Sequence, residues 1–169
     1  MVNVLFVCLG NICRSPTAHG IFREHVRRAG LEEKITIDSA GTGDWHIGKG
    51  PDKRAVATAK KFTYDISDLR ARQVTPEDFE RFDYILAMDN SNLNNLRKMS
   101  PPHYAGELKL FLDFHTDQIS DQLQSESQNQ NIREVPDPYY GEHDGFVTVL
   151  TLIENASINL LQHIKNDYK

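Results

Sequence analysis

Cys8 and Arg14 lie six positions apart in the run VLFVCLGNICRSP, with Ser15 and Pro16 directly behind the arginine. A thiolate is a strong nucleophile, and a guanidinium offers a planar fork to two oxygens of a phosphate. The backbone amides between them can form a nest for a tetrahedral oxyanion, and the positive end of a following helix adds to its pull. Such surroundings favour the thiolate of Cys8 over the thiol, and a thiolate at the floor of an anion nest can attack phosphorus. Gly10 and Asn11 both tolerate positive φ where the loop must turn. Ser15 can aim its hydroxyl at the Cys8 sulfur and stabilise it as a leaving group in a second step. A cysteine after a strand is most simply a small buried hydrophobe. The spacing to Arg14 and the Ser-Pro that follows reverse that reading. Zinc would need more than two cysteines without CxxC spacing or a matching histidine pair.

Thiolate attack on a phosphomonoester expels an alkoxide or a phenoxide. A phenol has a pKa of about 10, so protonating it in the transition state is worth roughly two to four decades. The segment VPDPYYGEHDG supplies an acid. Asp137 lies between two prolines, in a stiff turn able to hold a carboxyl group in place. Alone, Asp-Pro is ordinary turn chemistry; beside the Cys8 loop it reads as a general acid. Tyr139 and Tyr140 follow and can wall a slot for a flat ring.

These residues need elements to hold them. VNVLFVC is short and apolar on both faces, as a buried parallel strand is. Ser15 and Pro16 read as a helix start, serine as cap and proline at the first helical position. Ala18, Ile21, Phe22, His25, Val26 and Ala29 recur at helical spacing, and Gly30 reads as the terminator. KITIDSAGT reads as a second strand and GDWHIGKGPDKRA as a loop into a helix, with Ala55 to Phe62 inside it. TPEDFERF reads as a helical turn capped by Thr75. DYILAMD reads as a third strand, NSNLNNLRKM as a helix that Asp89 can cap, and ELKLFLDF as a fourth strand or a strand end. Residues 116–133 are rich in Gln, Ser and Asn and read as a mobile surface loop. Phe146, Leu150, Ile153, Leu160, Leu161 and Ile164 form a closing helical stripe. Alternating strands and helices predict a single α/β domain over 1–169, with a parallel sheet covered on both faces. Ligands of such sheets bind beyond the carboxyl ends of the strands, where Cys8 falls.

The bulk numbers fit. The 169 residues suffice for one core, and the net charge of −5 argues against a general nucleic-acid or anionic-membrane binder. No segment has the ~20 apolar residues of a membrane helix. The N-terminus lacks the pattern of a signal peptide. Two cysteines are too few for a disulfide framework, so the expected setting is the cytoplasm, with reduced thiols.

The segments VLFVCLGNICRSP, DSAGTGDWHIGKGPDKRA, ARQVTPEDF, DYILAMDNSNL and DPYYG together resemble the low-molecular-weight protein tyrosine phosphatase family, in family order and over most of the chain. The resemblance implies a flavodoxin-like fold with a four-stranded parallel sheet. It implies Cys8 as nucleophile, Arg14 as phosphate clamp and Asp137 as general acid, then base. It also implies that the backbone amides of Leu9, Gly10, Asn11, Ile12, Cys13, Arg14 and Ser15 hold the phosphate. Trp45, Tyr139 and Tyr140 match the aromatic rim, and Asp89, Asn11 and Ser15 match supporting positions. Phosphotyrosine proteins are the implied substrates and inorganic phosphate the product and inhibitor, with no metal or other cofactor. Some members form a reversible disulfide between the cysteines matching Cys8 and Cys13; Cys13 can equally be a space-filler. The chain departs from many members at Leu69, where they carry a histidine that supports the phosphate loop through the serine. Trp45 can instead be a packing aromatic, and His46 and His19 read as surface or helix-face residues.

Three other activities fit parts of the pattern. Arsenate reduction relayed by three cysteines lacks its extra thiols here, leaving a glutathione-assisted form. Relatives preferring phosphoarginine carry threonine at the position of Ile12, whose apolar side chain suits a phenyl ring. A phosphocysteine carrier would have no use for Asp137 as an activator of water.

Overall fold

The computed structural model describes residues 1–116, 132–141 and 144–168, with the side chain of Asp144 left aside. In chain order the elements are β1 (Val2–Cys8), α1 (Arg14–Arg28), β2 (Ile35–Gly41), α2 (Lys53–Lys61), α3 (Asp78–Arg81), β3 (Tyr84–Ala87), α4 (Asn90–Met99), β4 (Glu107–Leu110), a 3-10 turn (Phe111–Phe114) and α5 (Asp144–Asp167). The four strands are parallel and stand in the order β2-β1-β3-β4. This is the flavodoxin-like arrangement. Strand order reverses between β1 and β3, and the crevice there is where such sheets bind ligands.

Strand β1 is apolar on both faces because both faces are covered. Val4 and Phe6 point into one cluster, with Phe22, Phe111, Leu150 and Ile153. Leu5 and Val7 point into the other, with Phe79, Ile85, Leu93 and Leu96. Helices α1 and α5 thus cover one face and α3 and α4 the other. Cys8 is the last residue of the strand and belongs to the α1/α5 side.

The helix boundaries follow local chemistry. Helix α1 closes as expected on Gly30 at φ 67°, whose N–H donates to the Arg27 carbonyl while that of Leu31 donates to Val26. Its start differs from the expectation. The cap position is Cys13, without a side-chain capping bond, and Ser15 lies inside the first turn. Helix α2 is capped by Asp52 and α4 by Asp89. At α3 the capping bond runs backwards, from the Thr75 N–H to the Asp78 carboxylate at 2.8 Å. The stripe of α5 is buried as expected, save that Leu161 is only partly so.

Most of the loop expected over 116–133 lies outside the described residues. At its near end the Thr116 N–H donates to Asn155 Oδ1 of α5, and at its far end Arg133 pairs with Asp113. Among the described residues no helix is long and apolar enough to cross a membrane.

Candidate active site

The turn from Cys8 to Arg14 leaves β1 and enters α1. Four of its carbonyls are engaged by neighbouring groups. Those of Cys8 and Leu9 accept from Thr42 N and Gly43 N at 2.9 Å each, and that of Ile12 from Asp52 N at 2.8 Å. The Cys13 carbonyl accepts from the Thr17 hydroxyl at 2.7 Å. With its oxygens held by this shell, the loop is free to present amides to its concave side. Gly41 lets β2 approach: a Cβ there would lie 2.8 Å from the Leu9 carbonyl oxygen.

Cys8 Sγ lies 3.0 Å from Ser15 Oγ and accepts from the Asn11 N–H at 3.3 Å. The Ser15 hydroxyl therefore serves the sulfur rather than the helix terminus. Of the two residues able to take positive φ, Asn11 does so at φ 55° and Gly10 does not. What glycine provides at position 10 is room: a Cβ would lie 3.0 Å from Cδ2 of His46. The Asn11 carboxamide fixes its own strained backbone. Nδ2 donates to Ser15 Oγ at 2.8 Å, and Oδ1 accepts from the Arg72 N–H at 3.0 Å. Leu69 is partly buried beside this segment, and the loop is held through the Arg72 backbone. Arg72 is itself fixed by Asp38 and the buried Asp78.

Arg14, the first residue of α1, is buried. Nη1 donates to Asp89 Oδ2 at 2.6 Å and to the Val135 carbonyl at 3.0 Å, and Nη2 lies 3.5 Å from Asp137 Oδ2. Burial alone disfavours its charge, but the Cys8 sulfur and the bonded Asp89 outweigh that and push its pKa above the ordinary value. Cys13 is different. Burial, then Asp52, Cys8 and Asp137, push its thiol up to about 12. Both cysteines are buried free thiols.

A cavity of about 390 Å³ opens over this floor, between Leu9, Ile12, Trp45, His46, Tyr139 and Tyr140. Cys8, Gly10, Cys13, Arg14 and Asp137 also line it; Asn11 and Ser15 stand behind the floor. Trp45 is 65% exposed at the rim rather than packed inside. Tyr139 and Tyr140 meet edge to face with centroids 4.9 Å apart. The structure thus gathers every nominated site residue at one place. His46 and His19, expected at the surface or on a helix face, differ: His46 lines the cavity, and His19 is buried and bonded to Ser39 Oγ at 3.2 Å. Sequence reading passed over Asp52, Arg54 and Arg72, although the Pro-Asp-Lys-Arg helix start and the Ala-Arg-Gln run were on view. Among the described residues no cluster of three His, Cys, Asp or Glu side chains forms a metal site.

The family described as low molecular weight phosphotyrosine protein phosphatase matches residues 3–169. A Schizosaccharomyces pombe protein named low molecular weight phosphotyrosine protein phosphatase is 42% identical over 164 residues, covering 96% of this chain and 97% of its own. A crystal structure of a protein tyrosine phosphatase from Entamoeba histolytica, with Hepes in its active site, superposes with a TM-score of 0.86 at 37% identity, covering all of both chains. The crystal structure of a Drosophila arginine phosphatase gives 0.83 at 30% identity, with 98% of each chain covered.

Proposed function

The chain belongs to the low molecular weight phosphotyrosine protein phosphatase family, and on that premise we propose that it hydrolyses phosphotyrosine in proteins through a phosphocysteine intermediate, with Cys8, Arg14 and Asp137 as its catalytic residues. The observation that carries the reading is the placement of Arg14. One guanidinium stands beside the Asp137 carboxylate at 3.5 Å and lines the same cavity as Cys8, so nucleophile and acid flank a single anion site.

In the first step the Cys8 thiolate forms an S–P bond as the P–O bond to tyrosine breaks. The electron pair goes to the phenolic oxygen, which takes a proton from the Asp137 carboxyl. The arriving phosphate dianion takes over the Arg14 guanidinium, which stands 3.5 Å from Asp137 Oδ2. In the second step Asp137 accepts a proton from water as the water oxygen bonds to phosphorus and the S–P bond breaks. The sulfur leaves as a thiolate, which the Ser15 hydroxyl at 3.0 Å stabilises by donating to it. The loop amides and Arg14 carry the charge developing on phosphorus. Trp45, Tyr139 and Tyr140 wall the slot, and Ile12 lines it with apolar surface suited to a phenyl ring. Inorganic phosphate, the product, fits the same nest and inhibits. The reduced state that the nucleophile requires accords with a cytoplasmic setting.

Hydrolysis of para-nitrophenyl phosphate and of a phosphotyrosine peptide by wild type, Cys8→Ser and Asp137→Ala tests this reading. Cys8→Ser abolishes both. Asp137→Ala loses more on the peptide, whose leaving group is the more basic. An active Cys8→Ser enzyme refutes the nucleophile, and equal losses in Asp137→Ala refute the acid.

A further inference from the structure

Arg54 sits where three parts of the site meet, and the mechanism above leaves it without a role. It lies in the first turn of α2, beside the capping residue Asp52. Its Nε and Nη2 each lie 3.0 Å from one oxygen of the Asp52 carboxylate, a two-pronged pair of fixed geometry. The Asp52 N–H donates to the Ile12 carbonyl at 2.8 Å, which ties this pair to the phosphate loop. On its other side Arg54 Nη2 donates to the Tyr139 carbonyl at 3.1 Å. The guanidinium also lies over two rings, with its carbon 4.8 Å from the centroid of Phe146 in α5 and 5.5 Å from that of Tyr139.

Tyr139 is the link to the acid. Its N–H donates to Asp137 Oδ1 at 3.1 Å while its carbonyl is held by Arg54. Of residues 136–141 only Pro138 is buried, so packing leaves the polar groups of Asp137 and Tyr139 exposed. Among the described residues, two side chains from elsewhere in the fold bind the polar groups of 136–141: Arg14 at Asp137 and Arg54 at Tyr139. Substrate phosphate draws Arg14 away, and Arg54 then remains.

We propose that Arg54 is the positioning residue for the general acid: through the Tyr139 peptide it holds the Asp137 carboxyl at a fixed height over the phosphate loop, where the leaving oxygen will stand. The proposal rests on the reading of Asp137 as the acid. A bond length of drift in a proton donor lowers transfer sharply, so the effect falls on substrates that need the proton.

The experiment measures kcat/KM, which covers the step that expels the leaving group. The substrates are a phosphotyrosine peptide and 2,4-dinitrophenyl phosphate, whose phenol departs without a proton. The variants are Arg54→Gln, Arg54→Lys, Asp137→Ala and the double variant Arg54→Gln/Asp137→Ala. Arg54→Gln loses about ten- to a hundredfold on the peptide and about threefold or less on the dinitrophenyl ester, with inhibition by inorganic phosphate unchanged within about twofold. Arg54→Lys keeps the cation without the fork and falls between Gln and wild type. The double variant is no slower on the peptide than Asp137→Ala, because a misplaced acid and a missing one cost the same step. Equal losses of Arg54→Gln on both substrates, or a parallel loss of phosphate binding, overturn the proposal and assign Arg54 to anion binding or to loop stability. If Asp137→Ala itself shows no dependence on the leaving group, the acid assignment fails first. That result is distinct from an Arg54→Gln enzyme that fails beside an Asp137→Ala enzyme behaving as expected.

Discussion

Asp89 holds Arg14 with one carboxylate oxygen and a helix with the other. Oδ2 accepts from Arg14 Nη1 at 2.6 Å, and Oδ1 accepts from the Asn92 N–H at 2.8 Å at the start of α4. The orientation of Arg14, the proposed phosphate clamp, is thereby tied to the sheet's other face. Asp89→Ala removes both bonds, whereas Asp89→Asn keeps a good cap and loses the charge. Thermal melting should place Ala below Asn by about 0.5–2 kcal/mol, the worth of a cap. Both should lose at least about tenfold in kcat/KM, because Arg14 no longer has a fixed fork. An Asp89→Ala protein as stable as wild type would contradict the capping role.

The two thiols differ in reactivity. With the Cys13 thiol pushed up to about 12, its thiolate fraction at neutral pH is on the order of one part in 10⁵. Iodoacetate at pH 7 should therefore modify Cys8 and spare Cys13, and inorganic phosphate should protect Cys8. Peptide mapping by mass spectrometry reads the outcome. Faster labelling of Cys13 would contradict the burial argument.

In the proposed mechanism Ser15, 3.0 Å from the Cys8 sulfur, acts on it as it leaves. Ser15→Ala removes a hydrogen bond to a charged group, worth about 1.5–3 kcal/mol, or roughly ten- to a hundredfold. The loss should fall on kcat, with kcat/KM less affected, and the phosphocysteine should accumulate. A burst of para-nitrophenol under rapid mixing shows it. A Ser15→Ala enzyme that loses only kcat/KM would place the hydroxyl in the first step instead.

Asn11 carries backbone strain that its side chain supports. Asn11→Ala leaves a residue at φ 55° without its bonds to Ser15 Oγ and Arg72 N–H, and costs about 1–2 kcal/mol for the left-handed backbone alone. Asn11→Gly should recover that strain while leaving Ser15 untethered. Denaturant midpoints should rank Gly above Ala, with the activity of both reduced. The opposite ranking would mean that the loop relaxes out of positive φ.

His19 imprints a pH dependence on stability. Burial, with Arg23 adding to it, pushes its ring down from 6.5 to about 4. Between those values the unfolded chain binds a proton that the folded chain refuses, so stability falls as pH falls through that window. The group contributes no slope above 6.5 or below about 4. The full effect is at most about 3 kcal/mol. His19→Gln should flatten the melting temperature between pH 6.5 and 4 relative to wild type. Parallel curves for the two proteins would refute it.

The sequence by itself determined the chemistry and the frame that carries it. Cys8, Arg14 and Ser15 are close in the chain, so a strand, a turn and a helix start suffice to gather them, and each of those has a local signature. The two-sided apolar run of β1 likewise announced a covered parallel sheet. Local patterns carry less at the seams, where one side chain can serve either the backbone or a distant partner. Ser15 has the chemistry of a cap and was spent on sulfur, and Gly10 could take positive φ but made room for His46. Tertiary structure alone decided what holds the loops to one another. Arg54 meets Tyr139 across 85 positions, Arg14 meets Asp89 across 75, and Asn11 meets Arg72 across 61. Those pairings are set by strand order and loop packing, and a charged or amide side chain has many partners in the unfolded chain. Only the closed fold, where burial leaves few polar groups within reach, makes each pairing unique.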